Sequence, residues 1–236
     1  MVKNLKIISI IPARSNSKRV KNKNIINFRN KPLMAHTILH SIQSKYINRT
    51  IVSTDSQAYA NIAKSYGAEI LFLRPKNISR DNSTDLQCFN HCLNFLKIKE
   101  NYIPDIIVHL RPTYPIRRKG LIDSCIRKLL SKKKYHLLKT ICKSEIPIEK
   151  MWYMRKNKEI YNPITKNTLK HSLPDQSLNQ SYCQNGSVDV IRIKYFSLKQ
   201  KKKSKILGFL MKENFDINTY YDVKKINRKN NFFKKL

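Results

Sequence analysis

Residues Ile7-Ile8-Ser9-Ile10-Ile11-Pro12-Ala13-Arg14-Ser15-Asn16-Ser17-Lys18 carry the reading that decides the fold class. With Leu5 they open on an apolar run over residues 5–11, which suits a strand buried on both faces. Pro12 ends the run, and a loop of Arg, Ser, Asn and Lys follows. The run is short and passes straight into that polar loop, so it reads as a first buried strand rather than a signal peptide.

Outward from this strand the same unit repeats. Residues 32–44 carry Leu33, His36, Thr37, Leu39 and His40 in a helical pattern. Arg49–Ser53 supplies a second strand, Thr54 and Asp55 a turn, and residues 57–66 a second helix closed by Gly67. Residues 68–73 read as a third strand, and residues 84–97 as a third helix that Ser83 or Thr84 can cap. Residues 105–110 form a fourth strand ended by Pro112, and residues 120–131 a further helix. Strand, polar loop, helix and strand in alternation indicate an α/β fold, a parallel sheet with helices on both faces. Such sheets bind ligands at the carboxyl ends of their strands, so the loops after Ile11, Ser53, Leu73 and Leu110 should hold the chemistry.

Residues 145–182 break the pattern. They hold the only Trp and three prolines, Pro147, Pro163 and Pro174, and read as an arm inserted within one domain spanning residues 1–236. Residues 185–193 look like a returning strand, and residues 209–217 lead to a final acidic turn.

The formal net charge of +33 invites a nucleic-acid partner, but the basic residues are spread along the chain rather than gathered in one arm. A solvated, lysine-rich surface is the preferred reading. A hydrophobic content of 41% argues for a real core, and no apolar run is long enough to cross a bilayer. The five cysteines lack zinc-ribbon spacing. Cys88 and Cys92, with His91 between them, want two further ligands that the sequence does not offer, which leaves reduced cytosolic thiols.

The loop after the first strand is suited to a triphosphate. Backbone N–H groups and Ser hydroxyls can wrap phosphate oxygens, while Arg and Lys neutralise charge on a leaving pyrophosphate. It is not a P-loop, because the glycines and the Gly-Lys-Ser/Thr ending are absent. Composition alone fits an ordinary solvated basic loop equally well.

The spacing Pro12-Ala13-Arg14-x-x-Ser17-Lys18-x-x-x-x-Lys23-Asn24 resembles the signature of the acylneuraminate cytidylyltransferases, which share their fold with the ketodeoxyoctonate cytidylyltransferases. Further matches follow in order: Val52-Ser53-Thr54-Asp55, Tyr66-Gly67-Ala68-Glu69, Leu73-Arg74-Pro75, Arg111-Pro112-Thr113-Tyr114-Pro115-Ile116-Arg117 and Asn185-Gly186. The resemblance covers roughly the first 220 residues. It implies a Rossmann-like nucleotidyltransferase fold with a mostly parallel mixed sheet, and a small dimerisation arm at residues 145–182. It also implies a cytoplasmic homodimer that joins a sugar acid to CMP from CTP, with Mg2+ or Mn2+, for surface glycan synthesis. The sugar's anomeric hydroxyl would attack the α-phosphorus and pyrophosphate would leave.

The resemblance also assigns residues. Arg14, Ser17, Lys18 and Lys23 match the phosphate-binding loop, with Arg14 and Lys23 nearest the chemistry. Asn24 and Arg74 match positions close to the nucleotide. Asp81, Ser83 and Thr84 match the pyrimidine pocket, although a helix-capping role fits Asp81 and Ser83 equally. Arg111, Thr113, Lys150 and Asn185 match sugar-side positions, with Lys150 reaching a partner subunit's substrate. Met151, Trp152 and Tyr153 read as an apolar dimer contact. Asp216 and Asp222 match metal ligands, and they fit turn and helix caps as well.

Three departures stand out. Asn218 replaces the middle carboxylate of the late acidic motif, offering magnesium a neutral oxygen. Arg111 stands where the family usually has Gln, and Asp175 where it usually has Arg. A cation is gained at one sugar-side position and lost at another. The sugar is therefore expected to differ from plain N-acetylneuraminic acid, as a legionaminic- or pseudaminic-type acid or a non-acidic sugar. Other readings are a relative using another nucleotide or a sugar phosphate, a catalytically silent relative, and a basic nucleic-acid-binding protein. His36, His40 and His109 receive no role.

Overall fold

The computed structural model describes residues 4–17, 20–162, 164, 168–196, 204–212, 214–217, 219, 221–222 and 226. In chain order the strands are β1 Ile7–Pro12, β2 Asn27–Phe28, β3 Lys31–Pro32, β4 Arg49–Ser53, β5 Ile106–His109, β6 Leu137–Lys143, β7 Tyr153–Met154, β8 Ile160–Tyr161, β9 Tyr182–Arg192 and β10 Ile206–Met211. Six of them form one sheet in the order β10-β6-β9-β5-β1-β4. The pairs β1–β4, β1–β5 and β10–β6 are parallel, and β9 runs antiparallel to both its neighbours. The sheet is thus mixed and mostly parallel, as expected.

Both faces are covered, which explains the apolar run in β1. On one face Ile7 and Ile11 pack with Met34 and Ile38 of α1 (Leu33–Ile42), Tyr59 and Ala63 of α2 (Gln57–Ser65) and Ile126 of α4 (Leu121–Ser131). On the other, Ile8 and Ile10 meet Cys88, Phe89, Cys92 and Leu96 of α3 (Asp85–Glu100). Each isoleucine so buried contributes about 1.5–3 kcal/mol relative to exposure. Ser9, the polar break in the run, is satisfied by Ser41, whose hydroxyl lies 2.6 Å from it and 2.8 Å from that of Thr50.

The structure departs from the sequence reading in three stretches. Residues 68–73 do not form a full strand; their backbone pairs only in isolated bridges, Glu69 to Ile51 of β4 and Leu73 to Thr54 just beyond it. Leu73, at that outer edge, is exposed. β6 was not anticipated and lies next to β9 inside the sheet. The last sheet strand, β10, covers Ile206–Met211, where the sequence reading named no strand.

β6 and β9 fall out of register between Lys139 and Ile141. Thr140 plugs this bulge: its hydroxyl donates to the Val188 carbonyl at 3.1 Å and accepts from the Val188 N–H at 3.0 Å. Gly186 stands within the bulge at φ 70°. Bulges re-aim nearby side chains, and this one faces the loop after β5.

The described residues between 145 and 181 leave the sheet between β6 and β9 and include short 3-10 turns and the β7–β8 hairpin. Among the described residues no helix is long and apolar enough to cross a membrane.

Candidate active site

The chain passes from β1 to β4 on one side and returns past β1 to β5 on the other, so the β1–β5 boundary is the topological switch point. Open α/β sheets form a crevice there, beyond the carboxyl ends of the strands. A cleft of about 420 Å³ occupies that position.

One wall is the loop after β1, with Pro12, Arg14, Ser17, Val20, Lys23 and Asn24. Asn22 turns the chain through a left-handed conformation, φ 54°, and starts the 3-10 turn Lys23–Ile25. Asn24, nearly buried, donates to the Arg14 carbonyl at 2.9 Å and ties the two ends of the loop together. Ser15 is held from below, its N–H and hydroxyl both donating to the Asp55 carboxylate. Arg14 is held on two sides, donating to the Arg80 carbonyl at 2.7 Å and pairing with Asp81 at 3.0 Å. Lys23 donates to the Ile217 carbonyl at 3.3 Å, and the Ile217 N–H donates to the Thr113 carbonyl at 2.7 Å. Ile217 itself is buried against Phe28 and Leu33. This late segment therefore links the two walls.

The other wall is His109, Arg111, Pro112 and Thr113. Its shape depends on Arg117, which is buried. The Arg117 guanidinium donates to the carbonyls of Arg111, Tyr114 and Ser187 and to the Thr37 hydroxyl. Burial pushes its pKa down to about 9, still high enough to keep it charged at neutral pH. Arg111 extends over Gly186, where an added Cβ would come within 2.8 Å of Nη1, and its Nη2 lies 3.4 Å from Asp85. Only a residue without a side chain leaves Arg111 this position.

Of the residues singled out from sequence, the fold brings Arg14, Ser17, Lys23, Asn24, Arg111 and Thr113 together around one cleft. Lys18 and Asn218 lie outside the described residues. Arg74 is buried behind the cleft and donates to the Ser79 hydroxyl at 3.1 Å, bracing the turn that precedes α3. Ser83 accepts from the Arg80 N–H, and Thr84 caps α3 in a reciprocal capping box with Gln87. Asn185 bridges the bulge to the Ser187 N–H and touches the Met211 sulfur. Lys150 pairs with Asp175 within the arm, so the carboxylate that stands in place of the usual Arg is held by a cation of the same arm. Asp216 stands near enough to Arg117 to favour its charge, and Asp222 accepts from the Thr219 N–H and hydroxyl.

The cytidylyltransferase family profile matches residues 8–219, which include both walls. A pseudaminic acid cytidylyltransferase of Campylobacter jejuni (strain 81-176) is 30% identical over 183 residues, covering 78% of this chain and 77% of that protein. The chain belongs to the cytidylyltransferase family. It is a CTP-dependent nucleotidyltransferase by that membership. An N-acylneuraminate cytidylyltransferase of Escherichia coli O18:K1:H7 is 37% identical over 142 residues, which are 60% of this chain but 32% of that longer protein. A CMP:2-keto-3-deoxy-manno-octonic acid synthetase, solved in complex with CTP, aligns with a TM-score of 0.67 over 98% of this chain and 100% of its own, at 13% identity. That last likeness speaks for the fold.

Within this cytidylyltransferase fold the sequence reading missed three groups. His109 closes β5, buried, its Nδ1 3.3 Å from Asp189 of β9. Asp189 is also 3.7 Å from Lys139. Burial alone would raise the Asp189 pKa, but the hydrogen bond and charge of His109, then Lys139 and Arg111, hold it below the usual carboxylate value. Asp85 forms the third group, at the first turn of α3. A histidine ending an otherwise apolar strand, one residue before Arg111, was the available signal; Asp189 carried none until β9 was paired with β5.

No group of three or more His, Cys, Asp or Glu able to hold a metal by itself occurs among the described residues. The oxygen donors near the cleft still suit a hard divalent ion that takes most of its shell from phosphate oxygens and water.

Proposed function

We propose that the chain activates a nonulosonic sugar acid of the sialic, legionaminic or pseudaminic type, converting it and CTP into a CMP-sugar and pyrophosphate for surface glycan assembly. One observation carries the reading: Arg14, Lys23 and Asn24 line one wall of the cleft whose facing wall holds Arg111 and Thr113. The first wall suits phosphates and the second a carboxylate.

In this reading the triphosphate lies along the loop after β1, with Ser17, Lys18 and Asn24 enclosing it. Arg14 and Lys23 offset the charge that builds on the leaving pyrophosphate as the sugar hydroxyl attacks the α-phosphorus. Both cations are already tethered, Arg14 to Arg80 and Asp81 and Lys23 to Ile217, so little reorganisation is needed during reaction. Arg74, Ser83 and Thr84 act on the nucleotide indirectly, by bracing the loop over residues 79–84 that carries Asp81. Arg111 holds the sugar's carboxylate in a two-pronged hydrogen bond. Thr113 orients the sugar beside it, and Asn185 keeps the bulge beneath Arg111.

Mg2+ or Mn2+ is proposed as the metal, acting as a Lewis acid on phosphate oxygens. Asp216 would hold it, with Asp222 the weaker candidate because its carboxylate already serves Thr219. The assembly is proposed to be a cytoplasmic homodimer joined through residues 145–182. Exposed apolar side chains on that arm support this, among them Met151, Tyr153, Met154, Ile160 and Leu169. Lys150, in its pair with Asp175, would then stand near the partner's cleft.

The test is pyrophosphate release from a matrix of the four NTPs against a panel of nonulosonic acids and neutral sugars, with magnesium or manganese. Release from CTP with one of the acids is the expected result. Release only with another NTP or a sugar phosphate, or none under any condition, overturns the reading.

A further inference from the structure

Asp85 occupies an unusual position for a helix-start residue. Its Oδ2 lies 3.4 Å from Arg111 Nη2 and 3.9 Å from His109 Nε2, so a carboxylate of the chain already stands between a guanidinium and an imidazole on the cleft wall. Both separations are long for hydrogen bonds. The Asp85 side chain is half exposed, in the first turn of α3. It is weakly held and can leave.

The imidazole beside it is the opposite. His109 is 2% exposed, and its Nε2 is buried with no hydrogen-bond partner, facing the cleft. Its other nitrogen faces Asp189, which fixes the ring orientation, and the Phe89 ring packs against it at 4.9 Å. Asp189 is in turn supported by Lys139 and by the Gln184 amide. A buried ring nitrogen kept without a partner is costly, and it is explained if a ligand atom completes it.

We propose that Asp85 fills the place of the substrate's carboxylate, and that the incoming sugar acid displaces it and is gripped by Arg111 and His109 together. The proposal rests on the sugar-acid reading above and adds to it a second ligand for the carboxylate, a positioning residue in Asp189, and a built-in competitor in Asp85. Asp85 also serves specificity. A neutral sugar gives Arg111 and His109 no better partner than the aspartate already there, so it cannot displace the aspartate.

Steady-state kinetics of the full chain, with CTP and the preferred acid or its carboxamide varied in turn, test this. Asp85→Asn is expected to lower KM for the acid several-fold while KM for CTP holds. His109→Gln is expected to raise KM for the acid about tenfold or more, the loss of one hydrogen bond to a charged group, and to narrow the preference for acid over carboxamide. Asp189→Asn should move KM for the acid in the same direction as His109→Gln. A rise in KM for the acid or in the metal requirement of Asp85→Asn would make Asp85 a ligand in its own right and overturn the proposal. So would an unchanged acid-to-carboxamide preference in a folded His109→Gln. Should the buried His109 variant fail to fold, the exposed Asp85 variant decides alone. Wild-type inactivity toward every acid would instead sink the sugar-acid reading, which separates the two failures.

Discussion

Replacing Gly186 by alanine acts on Arg111 from behind, without altering any group proposed to touch substrate. The backbone at Gly186 sits at φ 70°, where an L-residue costs about 1–2 kcal/mol. The new Cβ would stand 2.8 Å from Arg111 Nη1 and 3.0 Å from its Cδ, so the guanidinium must move. It can do so by rotating a flexible side chain, which keeps the folding cost near the backbone strain alone. At roughly 2–4 °C per kcal/mol for a chain of this size, Tm should fall by about 2–8 °C. The larger effect belongs to binding. A two-pronged, charge-assisted contact to a carboxylate is lost or bent, about 1.5–3 kcal/mol, so KM for the sugar acid should rise roughly 10- to 150-fold. KM for CTP should change little, because the opposite wall is untouched. Differential scanning fluorimetry and pyrophosphate-release kinetics read both effects. A Gly186→Ala protein with its Tm lowered as stated and its KM for the acid unchanged would refute the role given to Arg111.

Further outcomes follow from the same geometry. Lys23→Ala should cut kcat by about 100-fold or more while leaving the circular dichroism spectrum intact, since the removed cation is proposed to face the leaving pyrophosphate. Arg117→Met strands the carbonyls of Arg111, Tyr114 and Ser187. At about 1 kcal/mol or more for each, it should cost roughly 3 kcal/mol and lower Tm by roughly 10 °C in a thermal melt. Asp189 has a folded pKa below its unfolded value, so its contribution to stability is present above about pH 4 and lost as pH falls through the folded value. Acid unfolding of Asp189→Asn should accordingly show a shallower pH dependence in that range. Introducing Glu at Tyr153 and Met154, both exposed on the β7–β8 hairpin, should convert a dimer to a monomer in light scattering.

The βα units of the first 130 residues are legible in the sequence because each strand is a short apolar run closed by Pro, Gly or a polar turn. Thr84 is legible as a cap for the same local reason, a short hydroxyl side chain before a helical pattern, whereas Ser83, the other candidate, serves the turn at Arg80 instead. β6 is not, because its buried positions include Thr140, a polar residue whose hydroxyl serves the bulge, and Lys139 and Lys143 interrupt and end its apolar pattern. Residues 68–73 carry a strand-like pattern but sit outside β4 at the sheet edge, where two bridges are all that form. On the candidate site, the cations of the first loop stand out by local composition. Arg117 does not, since nothing in its sequence neighbourhood says that its guanidinium will meet the Ser187 carbonyl 70 positions away. His109 and Asp189 are likewise joined only by the β5–β9 pairing, a contact across 80 residues.

The central claim is that the cations after β1 grip the phosphates of CTP, and a crystal structure of the chain with CTP and magnesium tests it most directly. The account expects the triphosphate between Arg14, Lys23 and Asn24 at the carboxyl ends of β1 and β5, with the base toward the turn before α3. A triphosphate bound elsewhere, with this loop empty or turned to solvent, would contradict it.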